Sequence, residues 1–332
     1  MKPAAKPFKE LTHVFVGHGD VPIPPPAWGA VEHIIWQTAI RLRAKGLTVH
    51  IVNKRRYAAV LKVLQLSLKG QADIVFCHSE KPVPLLTFLS KWRKFLLIST
   101  THCPLNPLNL GTSQLKALRR CNVAPYHFVG REDIKTMILE RNPEAICALQ
   151  LNAVETQDFH RKQDGNGKAI CLGRIQERKR QDDTARLLQG SGIECDFVGP
   201  LMEDVPISDE LRSRMLGEWD RDTVHKRLCE YSCLILLSHA ERQALVVVEA
   251  LAAGIPVVVS PDAAWNIDTS KPYIFVVESD DQVVQAVKSA IAIRNQYTNE
   301  IRQYIAETFD YQVLIDDYLA QVEEWLIPKK VH

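Results

Sequence analysis

The chain has 332 residues, 46% hydrophobic and 24% charged, with only 15 Gly and 18 Pro. That excludes a disordered or fibrous polypeptide and gives room for two buried cores of roughly 150 residues each. The net charge of +2 conceals an imbalance: residues 1–152 carry 21 Lys and Arg against 9 Asp and Glu, or +12, while residues 153–332 carry 20 against 30, or −10. A basic half of this kind points to a negatively charged partner, whether nucleic acid, an anionic membrane surface or a phosphorylated small molecule; the bland alternative is mutual attraction of the two halves.

No apolar run approaches the ~18 residues of a membrane span, and the opening MKPAAKPFKE lacks the apolar core of a secretory signal. Eight cysteines, Cys103 among them, are scattered singly with no CxxC pair. They read as reduced thiols in a reducing compartment, not as a zinc site or a disulfide framework.

Apolar runs predict strands over 12–17, 48–53, 73–77, 95–99 and 126–129. Helical spacing between them predicts helices over 30–44, 57–68, 84–92 and 132–139, with a Pro/Asn-rich loop (CPLNPLNLGTS) and a further helix before the fifth strand. Strands this apolar, separated by helices, imply a parallel sheet covered on both faces. A polar stretch, HRKQDGNG at 160–167, is the expected domain boundary. The alternation then restarts, with strands at 169–173, 194–199, 233–237 and 256–260 and helices at 181–189, 223–231 and 244–253. Three helices, 281–293, 300–309 and 311–325, are expected to end the chain.

The second half carries the sharper chemistry. Its first strand ends in Gly173-Arg174-Ile175, followed by Arg178, Lys179 and Arg180. In an open parallel sheet ligands sit beyond the carboxyl ends of strands, so Arg174 and Lys179 are candidates to hold a diphosphate and stabilise it as a leaving group. Downstream lies SHAERQALVVVEALAAGIPVVVS. Glu241 and Glu249 are carboxylates suited to accept from vicinal hydroxyls. Between them the N–H groups of Gln243, Ala244 and Leu245 open a helix and favour an anion. A Glu249 buried among valines needs a partner, whether a ligand hydroxyl or a neighbouring Arg.

These segments, with WGAVEHIIWQTAIRLRAKGLTVHIV near the start, NAVETQDF, GRIQERKR and the FVG strand end, resemble glycosyltransferase family 4, of GT-B fold. The resemblance implies an α/β protein of two doubly wound Rossmann-like domains with a cleft between them. An acceptor-side domain would span 1–155 and a nucleotide-sugar-binding domain 156–309, with a C-terminal helix over 310–332 crossing back onto the first. It further implies transfer of a sugar, of hexosyl type, from a nucleotide-sugar with retention of configuration and no obligatory metal. Arg174 and Lys179 match the donor-diphosphate cations, Glu241 the carboxylate that holds the donor sugar, and Glu249 the one that holds the ribose. The chain departs from the family pattern where Arg242-Gln243-Ala244 replaces Gly-Phe-Gly, where Ala153 replaces the hinge Gly, and where Gly29-Ala30 replaces a double Gly.

In the first half, Gly17, Gly19 and Gly29 flank a loop whose backbone N–H groups are candidates to face donor phosphates or acceptor. His102 matches a family position near the sugar and joins the catalytic candidates Arg174, Lys179 and Glu241. Asp20, His78, His102 and Arg242 are acceptor-side candidates, and Asp20 is the base required if the reaction inverts. The expected co-substrate is a nucleotide-sugar, UDP-sugar first among them, with no other cofactor and no metal. The acceptor is expected to be anionic, lipid-linked or glycan at a membrane surface, for a cytoplasmic protein attached peripherally. Two alternatives stand beside this reading. One is transfer to hydroxylated bases of DNA, as in viral enzymes, favoured by the basic patches NKRRY, KWRKF and LRR; the other is a nucleotide-sugar-binding protein without turnover.

Overall fold

The computed structural model describes residues 6–25, 29–100, 102, 111–201 and 205–326. The expected Pro/Asn-rich loop, with Cys103, falls largely outside them, as do Trp28 of the first loop and the end of the C-terminal segment, 327–332. The chain divides into two compact units, Met1–Gln150 together with Leu314–His332, and Leu151–Val313.

In the first unit β1 (Thr12–Val16), α1 (Ala30–Ala44), β2 (Thr48–Val52), α2 (Arg56–Leu68), β3 (Ile74–Cys77), α3 (Val83–Arg93), β4 (Leu96–Ser99), α4 (Thr112–Cys121), β5 (Tyr126–Val129), α5 (Glu132–Arg141) and β6 (Ile146–Leu149) alternate. The six strands form one parallel sheet in the order β2-β1-β3-β4-β5-β6. Side chains alternate across it. Val14, Val16, Val75, Cys77 and Leu97 pack with Ala59, Val63 and Leu66 of α2 and Val83, Leu86 and Leu89 of α3 in one core. Phe15 and Phe76, opposite one another in the β1–β3 register, turn to the other face.

The second unit holds β7 (Ala169–Leu172), α6 (Gln181–Leu187), β8 (Cys195–Val198), α7 (Asp209–Ser213), α8 (Arg221–Arg227), β9 (Cys233–Leu236), α9 (Leu245–Ala252), β10 (Val257–Val259), β11 (Ile274–Val276) and α10 (Val283–Thr308). Its five strands are parallel in the order β11-β10-β9-β7-β8. The last helix, α11 (Tyr311–Leu326), leaves the second unit and from Leu314 onward belongs to the first. There Tyr318 lies against Phe15, Phe76 and Phe128, at 6.3, 6.1 and 5.7 Å between centroids, and Trp325 lies 4.7 Å from Phe128. The helix thus supplies the aromatic cover of one sheet face, in line with a terminal segment crossing back.

Three features differ from the sequence expectations. The helices expected at 281–293 and 300–309 are one continuous helix, α10. Its polar middle is not a solvent-facing break, because Arg294 and Thr298 are buried. Arg294 Nε donates to Tyr231 O at 3.1 Å and Nη2 to Lys162 O at 2.9 Å and Cys229 O at 3.1 Å, with Nη1 on Gln163 O at 3.4 Å. The same bonds explain the second difference. The polar stretch 160–167 does not divide the units but is built into the second, where Asn166 N also donates to Glu230 O and Gly167 N to Ser232 Oγ. Finally, the edge strands β6 and β11 and the five-residue α7 are not among the expected elements.

Candidate functional site

In the second unit β7 and β8 end in glycines that approach each other closely. Gly173 has φ +129° and Gly199 φ +143°, and a Cβ on Gly199 would lie 2.1 Å from Gly173 O. A Cβ on Gly173 would lie 2.8 Å from Lys179 Nζ. Glycine at 173 therefore leaves the space into which the lysine ammonium folds back over the strand end.

The short turn Glu177–Lys179 presents its cations to the loop between β9 and α9. Arg178 Nη1 donates to Ala240 O at 2.7 Å and to Glu241 Oε1 at 2.9 Å, and His239 N donates to Arg178 O at 2.9 Å. Ser238 Oγ also donates to Glu241 Oε1 at 2.9 Å, and Lys179 Nζ lies 3.8 Å from the same oxygen. Glu241 sits in the middle of the loop, with its carboxylate held from three sides. Burial pulls the Lys179 ammonium below its ordinary value; Glu241 and Glu249 act against this, while Arg178 and Arg174 add to it. Lys179 is thus within electrostatic reach of the other four charged groups. Arg174 is exposed, and its carbonyl is fixed by Gln181 Nε2 at 2.8 Å.

Glu249 lies in the second turn of α9 and is 5% exposed at its side chain, where Arg221 Nη1 donates to Oε1 at 2.6 Å. The partner that its burial demanded is this arginine, 28 positions upstream on α8. No local pattern could reveal it. Arg242 is not a surface residue. Its Nη1 donates to Asn152 Oδ1 at 3.1 Å, and burial lowers its pKa to about 10. Gln243 is tied to the same asparagine, whose backbone N donates to Gln243 Oε1 and whose Nδ2 donates to Gln243 O. The two residues that replace Gly-Phe clamp the start of the second unit. Ala244 is the N-cap of α9, one residue later than expected, and Leu245 is its first residue. The ion-pairing roles of Arg178 and Arg221 went unrecognised in the sequence; Arg178 at least lies inside the basic cluster that drew attention there.

At the carboxyl ends of the first unit's strands the histidines converge. His78 Nδ1 lies 2.9 Å from His102 Nε2, and the rings are stacked at 10°. Asn53, after β2, orders the first loop by accepting from Gly19 N at 2.9 Å and donating to Val21 O at 2.7 Å. Gly17 N donates to Val52 O, and Gly29 is the N-cap of α1. His18 Nδ1 stands 3.9 Å from the buried Glu32, a residue that the sequence pattern did not mark. Asp20 is half exposed and pairs with Arg55 at 2.8 Å, so among the described residues its partner is a surface cation rather than a catalytic histidine.

Among the described residues no group of three His, Cys, Asp or Glu is placed to hold a metal ion, and no helix is long and apolar enough to cross a membrane. In the second unit Arg178 and Lys179 thus surround Glu241 with positive charge, while Glu249 is paired with Arg221.

Residues 154–308, most of the second unit, match the family model described as Glycosyl transferases group 1. No curated protein matches the chain. Among solved structures, sucrose-phosphate synthase from Thermosynechococcus elongatus is similar with a TM-score of 0.74 at 12% identity, over 97% of this chain and 100% of that one. HepE of Anabaena in complex with UDP has a TM-score of 0.73 at 13% identity, over 95% and 100%. The apo form of the lipopolysaccharide outer core galactosyltransferase WaaB has a TM-score of 0.70 at 16% identity, over 95% and 100%. The likeness extends over nearly the whole chain and shows the fold, two parallel-sheet Rossmann-like halves of GT-B type.

Proposed function

We propose that the protein is a glycosyltransferase that moves a hexosyl group from a nucleotide-sugar to an acceptor hydroxyl with retention of configuration. The observation that carries this reading is the convergence of Arg174, Arg178, Lys179, Glu241 and Glu249 at the strand ends of the unit that matches the glycosyl transferase family. Arg174 and Lys179 neutralise the departing diphosphate with preorganised charge, the role a divalent metal plays elsewhere, so turnover needs no metal. Glu241 accepts from the sugar hydroxyls and Glu249 from the ribose. Gly17, Gly29, Gly173 and the α9 start at Gln243, Ala244 and Leu245 bring backbone close to the donor. HepE of Anabaena forms complexes with UDP and with UDP-glucose, which favours a UDP-sugar donor. His78, His102 and Asp20 are assigned to the acceptor side, while Arg242, engaged with Asn152, has an ordering role instead.

The +12 imbalance of residues 1–152 favours an anionic acceptor or an acceptor on an anionic surface. We place a lipid-linked acceptor first, for a cytoplasmic protein peripheral to the membrane, and DNA second. The experiment is UDP release from a panel of UDP-sugars by the purified protein, with and without EDTA, and NMR assignment of the anomer formed. Release that persists in EDTA with retained configuration is expected. Binding of nucleotide-sugars with no release under any condition would instead make this a binding protein.

A further inference from the structure

Outside the candidate site, the largest concentration of exposed apolar surface lies on two neighbouring helices. Of the eleven large apolar side chains exposed among the described residues, six belong to α2 and α3: Tyr57, Leu61 and Leu68, and Leu85, Phe88 and Trp92. Phe88 is 75% exposed and Trp92 65%. At ~100° per residue each trio falls within about 60° of arc, centred about 170° from the core residues on α2 and about 130° from them on α3. Both helices pack on the same face of the sheet and are tied together by Arg93 Nη2, which donates to Ser67 O at 2.9 Å. Their outward stripes therefore share one surface of the first unit.

That surface is also strongly basic. Between residues 53 and 94 there are nine Lys and Arg and two acids. The two acids are already engaged, Asp73 with Lys6 at 2.9 Å and Glu80 with Arg120 at 4.0 Å. Cations flank the aromatic rings directly: the Arg56 guanidinium lies 4.6 Å from the Tyr57 ring centre and that of Arg93 lies 5.5 Å from the Trp92 ring centre. Lys69, Lys91 and Lys94 are exposed nearby. An aromatic and aliphatic stripe edged by cations is complementary to a surface with an apolar interior and an anionic skin.

We propose that the α2/α3 face is a docking surface for an anionic lipid bilayer, with Tyr57, Leu61, Phe88 and Trp92 entering the headgroup boundary and the lysines and arginines meeting lipid phosphates. One signal alone holds a protein only weakly; apolar insertion and charge together give stable attachment. The proposal deepens the functional reading by naming where a membrane-presented acceptor is met. Docking is measured without donor, so its failure leaves sugar transfer standing, and UDP release in the absence of lipid tests the transfer reading separately.

The test is co-sedimentation of the full chain with vesicles of phosphatidylcholine alone and of phosphatidylcholine with phosphatidylserine, alongside the double variant Phe88→Ser, Trp92→Ser. Both side chains are exposed, so circular dichroism and UDP binding should be unchanged in the variant. Wild type should bind the phosphatidylserine vesicles, release with rising salt and lose at least about tenfold in affinity in the variant. Equal binding by the two proteins, binding to duplex DNA but not to vesicles, or a wild-type dimer that the variant disperses would each overturn the proposal; the last two would assign the face to nucleic acid or to a second copy of the chain.

Discussion

Lys179 folds into the space left by Gly173 and stands beside Glu241 without being that carboxylate's main partner. Removing it leaves Glu241 bonded to Arg178 and Ser238. Lys179→Ala should therefore fold normally yet lose roughly a thousandfold in turnover, the ~4 kcal/mol of a well-placed transition-state cation, read by steady-state UDP release and a thermal melt. The Arg221–Glu249 pair makes a different prediction, because its partners are unequally buried, 33% and 5% exposed at their side chains. Arg221→Ala leaves a buried carboxylate alone and should destabilise the second unit by about 3 kcal/mol, whereas Glu249→Ala leaves an arginine that can reach water and should cost less than half of that. Urea denaturation of the two variants checks the order. Equal losses would mean that the pair is screened by solvent.

Buried polar side chains inside β1, β5 and α10 set the pH and folding behaviour of those elements. His13 of β1, 3.2 Å from Tyr318 Oη, and His127 of β5, bonded to Ala124 O, are both held by burial near pKa 4 against an ordinary 6.5. Below pH 6.5 the unfolded chain takes up protons that the folded sheet refuses. Stability of the first unit should thus be level above about pH 6.5, fall as the pH drops, and stop falling near pH 4. The loss is about 3 kcal/mol for each histidine. The urea midpoint across that range measures it, and His13→Gln with His127→Gln should flatten the slope. In α10, Arg294 binds four backbone carbonyls of other segments. Arg294→Leu strands those acceptors in the core and should destabilise by about 3 kcal/mol or more, seen as early hydrogen exchange over 160–167.

The first unit is discontinuous in sequence, since Leu314–His332 returns to it. Tyr318, Val322 and Trp325 are buried there, and Tyr318 and Trp325 cover the face of the sheet that bears Phe15, Phe76 and Phe128. Truncation after residue 313 should expose those rings and lower the first unit's stability selectively, with aggregation, while the second unit keeps its exchange protection. Loss of protection in both units alike would contradict this.

The alternation of short apolar strands and amphipathic helices was readable along the chain because each element's burial pattern repeats within a few residues. β1, α1, β5, β7, α6, β8, β9 and α9 lie within a residue or two of expectation for that reason. Gly173, Lys179, Glu241 and Glu249 were likewise visible as a local constellation around strand ends. Their partners were not: Arg221 answers Glu249 from another helix, Asn152 captures Arg242 and Gln243 from some 90 residues away, and Arg294 turns an apparent linker into core. Local periodicity records which side of an element is buried. Which charge satisfies which is a property of packing between distant segments, and a polar residue looks the same in sequence whether water or a carbonyl across the fold accepts its proton.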